Sequence, residues 1–169
     1  KDNFLFAANG EGRLARRIAR AVVAARPLTT TDRLAEVVAA AVPAAVRRRG
    51  HPARRVFQAL RIEVNDELGE LAEVLPQGLS RLAPGGRFVV ISYHSGGDRL
   101  VKAAFAEAAV GGCTCPPGLP CVCGAVPEHR LVFRGARTPS AAEVEHNRRS
   151  QSARLRAAER LISPGPVRR

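Results

Sequence analysis

The stretch from Phe57 to Ser95 constrains the fold of this chain most strongly. A long helical pattern leads into a Pro84-Gly85-Gly86 turn, and a short apolar run from Phe88 to Ser92 follows. The helical pattern spaces its apolar residues by three and four positions, which predicts one buried helix face made of Phe57, Leu60, Val64, Leu68, Leu71 and Leu75. Because Pro76 lies inside this pattern, we expect a kink or a restart of the helix near Leu75.

The apolar run after the turn predicts a strand. It shows no alternation of apolar and polar residues, which is typical of a strand buried on both faces in a parallel α/β sheet. Ligands of open α/β folds bind beyond the carboxyl ends of such strands, and here that position holds Ser92, Tyr93, His94 and Ser95. Ser95 is predicted to cap the next helix, with Asp98 as its capping-box acid, and this role is compatible with a ligand contact.

Several shorter elements flank this stretch. Arg13 to Ala25 reads as a helix with a basic stripe, and Thr31, as N-cap, with Asp32 predicts a second helix that ends at Pro43 and completes a helical hairpin. Another helix should end at Gly111-Gly112, and Leu131 to Phe133 should form a strand. A last helix should begin at Ser140 and Glu143 and continue to Arg160.

The charge balance favours a polyanionic partner. Lysine and arginine total 27 against 15 acidic residues, a formal net charge of +12, and nearly all the cations are arginine. The basic stripe of the first helix, which includes Arg16, Arg17 and Arg20, is either a solvated face or a set of phosphate contacts. We expect a cytoplasmic protein, since the chain contains no apolar run of membrane-spanning length and no signal-peptide pattern.

Four cysteines form the densest group of potential metal ligands. Cys113, Cys115, Cys121 and Cys123 follow a C-x-C-x5-C-x-C pattern within a loop that is rich in proline and glycine. Four thiolates would satisfy a closed tetrahedral zinc site, and the alternative is a set of free or redox-active thiols.

Three segments together resemble one family. HPARRVFQALRIEVNDEL, LAPGGRFVVISYHS and NRRSQSARLRAAER are similar to segments of the ribosomal RNA small subunit methyltransferase H family, and the resemblance runs from about Gly10 to Arg160. It implies S-adenosyl-L-methionine-dependent methylation of N4 of a cytosine in 16S rRNA, with the small ribosomal subunit as partner. The implied fold is α/β: the C-terminal half of a doubly wound, Rossmann-like methyltransferase domain with a helical substrate-recognition insertion.

The resemblance also implies a domain organisation and a set of site residues. Residues 1–50 would form the insertion, 51–162 the C-terminal part of the methyltransferase domain with a Cys-rich loop at 111–124, and 163–169 a disordered tail. The substrate-binding residues would be Arg16, Arg17, Arg20, His51, Arg54, Gln58, Arg61 and Asn65, with Ser92, His94, Ser95 and Asp98 near the active site. The catalytic residue stays unassigned. His51 and His94 each have an alternative structural interpretation, the first as a capping or loop residue and the second as a hydrogen-bonded imidazole.

The sequence departs from the family pattern in two motifs. Gly96 and Gly97 stand where an SxHSLEDR motif has Leu-Glu, and Arg148 and Gln151 replace the proline and an arginine of an NPRSRSAKLR motif.

The cofactor motifs of a methyltransferase are missing from the sequence. It contains no GxGxxG turn, no Asp-Leu-Gly segment and no Asn-Pro-Pro-Tyr segment, and it contains no methionine. We therefore expect the chain to be a fragment of a longer enzyme and to be inactive alone. The alternative function is a non-catalytic basic RNA-binding module with a Cys-rich metal knuckle.

Overall fold

The computed structural model describes residues 14–48, 50–116 and 122–164. The chain divides into two compact units after Glu67, and each is described by itself. Within the described residues, no helix combines the length and the apolar character needed to cross a membrane.

The first unit is helical. It contains α1 (Ala15–Ala24), α2 (Thr31–Ala41), α3 (Ala44–Arg47) and α4 (Ala53–Val64). Its core is built from small and β-branched side chains, which allow the helices to pack closely: Ala15, Ile18, Ala19, Val38, Ala41, Val42, Ala53, Val56 and Ala59. The predicted helical hairpin of α1 and α2 is therefore confirmed. The N-cap of α2 is Thr30 rather than Thr31, because the Thr30 hydroxyl accepts the Arg33 amide at 3.2 Å.

In its first half, the predicted apolar face of the long helix is confirmed at Phe57 and Leu60, which pack half-buried against the core, and is wrong at Val64. The buried residues of α4 are Ala53, Val56, Ala59 and Ile62, whereas Val64 is 81% exposed. The helix ends here because Asp66 adopts a left-handed conformation with φ 48°, which aspartate tolerates better than most residues. A new helix, α5 (Glu67–Ser80), then begins.

Of the kink or restart predicted near Leu75, the restart is wrong, since Pro76 lies inside α5, and the kink stays a prediction. The helix is interrupted at Asp66 instead. The apolar pattern from Phe57 to Leu75 therefore spans two separate helices, α4 and α5, and does not define a single buried helix face.

The second unit packs helices on a small sheet. After α5 come β1 (Arg87–Ser92), α6 (Ser95–Val110), β2 (His129–Leu131), α7 (Ala141–His146), a 3-10 helix (Arg148–Ser152) and β3 (Arg154–Arg160). Its core joins the two long helices to the sheet through Leu75, Leu79, Val101, Phe105 and Ala158. The Phe88 and Phe105 rings lie 5.7 Å apart in a tilted arrangement and link β1 to α6.

The described strands are antiparallel, not parallel as predicted. Their order is β1-β3-β2, and β3 runs antiparallel to both neighbours. Burial alternates along β1, so that Phe88 and Val90 pack against the core while Val89 and Ile91 are each 51% exposed. A continuous apolar run therefore produced a strand that is buried on only one face within this chain.

The predicted last helix is wrong beyond His146. Ser140 does cap α7 by accepting the Glu143 amide, but Asn147 and the 3-10 helix end the helical region, and residues 154–160 form the central strand. Alanine and arginine favour helices in isolation, and pairing with strands on both sides overrides that preference. The predicted strand at Leu131–Phe133 is confirmed only at Leu131, because β2 ends there.

Two other predictions concern loops and the tail. The helix stop at Gly111 is confirmed: Gly111 is the C-cap of α6 with φ 59°, and a Cβ there would lie 2.7 Å from the Pro127 nitrogen. Residues 165–169 of the predicted disordered tail lie outside the described residues.

Candidate functional site

The basic stripe of α1 is accessible. Arg16, Arg17 and Arg20 are spaced to share one side of the helix, and all three are exposed. Among the described residues, none of the three forms an ion pair with a carboxylate. The opposite side of α1 buries Ala15, Ile18 and Ala19 in the core, so the stripe is held on a packed helix and presents three guanidinium groups to solvent.

The second predicted stripe runs along α4. Arg54 and Arg61 are exposed and Gln58 is half-buried, at spacings of three and four residues, and the exposed Asn65 caps the end of the helix. The buried residues Val56, Ala59 and Ile62 hold the other side of the helix against the unit, so the structure places these four polar residues on one accessible surface.

Two of the residues predicted to bind substrate have partners within the chain. Arg61 forms a bidentate ion pair with Glu67, with N–O distances of 2.6 and 3.1 Å, and this hydrogen bond raises the pKa of the guanidinium. Glu67 therefore competes with any anionic ligand for Arg61. His51 accepts the Ala53 amide through Nδ1 at 3.3 Å, which gives it a structural role at the start of α4.

The tip of β1 has a different chemistry. His94, not Ser95, is the N-cap of α6, because its Nδ1 accepts the Gly97 amide at 3.2 Å. This contact leaves the proton on Nε2. The predicted capping by Ser95 is thus wrong by one residue, and the exposed Ser95 is the first residue of α6, whereas Ser92 is buried at the end of β1.

Asp98 binds a residue that the sequence did not single out. Its carboxylate accepts two hydrogen bonds from Arg156 of β3, at 2.8 and 3.1 Å, and the side chains of the two residues are only 15% and 13% exposed. These hydrogen bonds hold the pKa of Asp98 below its usual value, with smaller contributions from Arg154 and Lys102. No signal in a single sequence joins residues 58 positions apart.

The departures from the family pattern at Gly96 and Gly97 are compatible with the helix start. Neither glycine has a positive φ, and a Cβ at Gly97 would lie 3.4 Å from both His94 and Leu71, an ordinary contact distance. Close packing therefore does not require a glycine at position 97.

Three of the four cysteines come together. The sulfur atoms of Cys113, Cys115 and Cys123 all lie within 4.8 Å of one another, and Cys121 lies outside the described residues.

The second unit also has an open groove of about 690 Å³, lined mainly by apolar residues of α5 and α6 and by the segment before β2. None of the predicted site residues lines this groove.

Comparison with known proteins adds an independent result. Residues 3–161 match the MraW methylase family. Over 157 residues the chain is 52% identical to the ribosomal RNA small subunit methyltransferase H of Heliobacterium modesticaldum, covering 90% of this chain and 50% of that protein. The protein of the same name from Thermobifida fusca is 52% identical over 165 residues, which cover 95% of this chain and 49% of the relative.

The chain thus spans about half the length of the curated relatives it matches. The match covers both compact units and all three of the segments singled out in the sequence. The chain belongs to the MraW methylase family.

Proposed function

We propose that this chain is the substrate-binding and C-terminal part of an enzyme that methylates N4 of a cytosine in 16S rRNA. The observation that carries the proposal is the identity of about 52% with ribosomal RNA small subunit methyltransferases H along nine-tenths of the chain. The proposed substrate places the protein in the cytoplasm, with the small ribosomal subunit as its partner.

The exposed arginines are assigned to the RNA. Arg16, Arg17 and Arg20 bind backbone phosphates, since exposed guanidinium groups with no carboxylate partner among the described residues can form bidentate contacts with phosphate oxygens. On α4, Arg54 and Gln58 extend the polar surface, and Asn65 lies at its end. These residues bind and orient the RNA strand and take no part in the chemical step of methyl transfer.

The methyl donor would be S-adenosylmethionine, which supplies an electrophilic methyl group. The sequence lacks the glycine-rich turn and the acidic segment that hold such cofactors, and at the tip of β1 the His94 Nδ1 atom is already used as a helix cap. Residues Ser92, Ser95 and Asp98 are assigned to the border of the active site, with Asp98 and Arg156 fixing the start of α6.

The sheet supports the proposal of a larger doubly wound fold. In the described residues, β1 pairs with β3 on one side only, and its Val89 and Ile91 side chains are half exposed. An apolar sheet face is normally covered by helices in α/β proteins, and an unpaired strand edge can accept a further strand. Both features are expected if the sheet of the whole enzyme continues beyond β1.

A chimeric enzyme tests the proposal. The part of the Thermobifida fusca relative that matches this chain would be replaced by this chain, and the purified chimera would be incubated with S-adenosylmethionine and small ribosomal subunits that lack the modification. We expect N4-methylcytidine in the 16S rRNA, measured by mass spectrometry of its nucleosides.

A chimera with alanine at Arg16, Arg17 and Arg20 provides the matched comparison. It should retain cofactor binding and require a higher RNA concentration for half-maximal rate. A folded parent chimera that binds the RNA and the cofactor without methylating cytosine would contradict the proposed reaction and favour the non-catalytic RNA-binding function.

A further inference from the structure

The loop that connects α6 to β2 is closed at its base, and its described residues contribute little to the hydrophobic core. We refer to residues 111–127 as the cysteine loop, of which 111–116 and 122–127 are described. At its base the Gly111 backbone lies directly against Val126 and Pro127, since a Cβ on Gly111 would be 2.7 to 2.9 Å from their backbone atoms. Among the described residues of the loop, only Pro127 is buried.

The loop brings together thiols from its two ends. Cys113 and Cys115 follow the C-cap of α6, and Cys123 precedes the return to Pro127. Their three sulfur atoms lie within 4.8 Å of one another. Cys113 and Cys115 are half-buried and Cys123 is exposed, so an ion can reach the group without unfolding of the unit.

The separation of the sulfurs suits one small soft cation. With Zn–S bonds of about 2.3 Å, two thiolates of a tetrahedral zinc site are roughly 3.8 Å apart. With separations of at most 4.8 Å, each pair of sulfurs needs to approach by no more than about 1 Å to reach that geometry. Magnesium and calcium prefer oxygen ligands, whereas thiolates select zinc and other thiophilic metals.

We propose that Cys113, Cys115 and Cys123 bind one zinc ion that stabilises the cysteine loop. Each thiol releases its proton to solvent as its sulfur binds, so the site forms without an oxidant or a reductant. The sequence predicts Cys121 as a fourth ligand, but this residue lies outside the described residues. The bound ion joins the two ends of a loop whose described residues, apart from Pro127, are not buried in the core, which is the usual role of a structural metal.

The site has a structural consequence for the adjoining groove. Val126, Glu128 and His129, which follow the cysteines, line the groove described above, and His129 is joined to the Leu79 carbonyl oxygen by a hydrogen bond of 3.1 Å. Zinc binding would therefore fix the position of one wall of the groove. This inference does not depend on the proposed methyl transfer.

Metal analysis of the 169-residue chain tests the inference. The protein would be purified in the presence of a non-thiol reductant and supplied with zinc, and then freed of unbound metal. We expect one zinc per chain, thiols that react slowly with a disulfide reagent, and rapid thiol reaction with release of zinc after addition of a chelator. Less than half an equivalent of zinc, with all thiols reactive from the start, would overturn the proposal.

Variants locate the ion. Cys113→Ser and Cys123→Ser should each lower the apparent zinc affinity at least tenfold, while Thr114→Ala, which alters the same loop without removing a thiol, should retain one equivalent. Cobalt provides a second readout that does not depend on folding stability, because three thiolate ligands give an intense sulfur-to-metal charge-transfer band. Absence of that band in the cobalt-loaded parent chain would contradict thiolate ligation.

Discussion

At the scale of single residues, the ion pair between Asp98 and Arg156 should dominate the acid stability of the second unit. Asp98→Ala leaves a mostly buried guanidinium without its carboxylate, and we expect the free energy of unfolding to fall by about 3 kcal/mol. The free energy of unfolding should fall less in the double variant Asp98→Ala with Arg156→Met, because no unpaired buried charge remains there. Urea denaturation measures both, with Glu36→Ala, which removes an exposed pair with Arg33, as a control expected to change stability by less than about 1 kcal/mol.

The same pair predicts a pH dependence with a definite sign. Hydrogen bonds from Arg156 lower the pKa of Asp98 in the folded protein, so the unfolded chain takes up a proton first as the pH falls. The stabilisation is complete above the unfolded pKa of about 3.9 and is lost as the pH falls through the lower folded value. Asp98→Ala should reduce the dependence of the free energy of unfolding on pH in the acid range. An unchanged dependence would exclude Asp98 as its source.

At the scale of elements, α1 should contribute an electrostatic part of RNA binding. Each phosphate neutralised by an arginine releases condensed counterions, so alanine at Arg16, Arg17 and Arg20 should weaken binding to a 16S rRNA fragment. The slope of log K against log salt concentration should become shallower by about 2 to 3, as expected for three lost phosphate contacts. Fluorescence anisotropy across a salt series provides the measurement.

A control with the same charge change removes three arginines that already have carboxylate partners. Arg33 pairs with Glu36, and Arg87 and Arg130 both pair with Glu159. Alanine at these positions should leave the salt slope nearly unchanged. Equal changes in the two triple variants would mean that net charge, and not the α1 stripe, governs binding.

The end of α6 provides a second prediction at this scale. Gly111 and Gly112 both have positive φ, at 59° and 73°, but a Cβ added at Gly111 would lie within 3 Å of backbone atoms, whereas one added at Gly112 would face open space. Gly112→Ala should cost about 1 kcal/mol from backbone strain. Gly111→Ala should cost more, because the loop at Val126 and Pro127 must also move, and thermal denaturation of the two variants compares them directly.

At the scale of the whole molecule, the chain should bind its substrate without carrying out the reaction. We expect calorimetry to detect no micromolar binding of S-adenosylmethionine to the 169 residues, because the sequence lacks the motifs that form a cofactor cradle. The chimera that contains the rest of the Thermobifida fusca relative should bind the cofactor. Micromolar binding of S-adenosylmethionine to the isolated chain would contradict the proposal that this chain binds the RNA and the rest of the enzyme binds the cofactor.

The sequence alone determined the elements whose limits depend on local interactions. Local signals act within a few residues, through side-chain caps and backbone dihedral angles: Thr30 before α2 with Asp32 in its first turn, the glycines after α6 and the turn before β1. The accessible arginines of α1 follow from helical spacing for the same reason. The three segments that resembled the methyltransferase family also identified the family correctly.

Only the tertiary structure decided which distant parts of the chain meet. Residues 154–160 contain good helix formers, yet they form the central strand because β1 and β2 supply hydrogen bonds on both sides. Arg156 binds Asp98 across 58 positions, and in α4 Ala59 is fully buried whereas Leu60 packs half-buried against the same core. These outcomes depend on packing and pairing between remote segments, whose free energies are not encoded in any local pattern of residues.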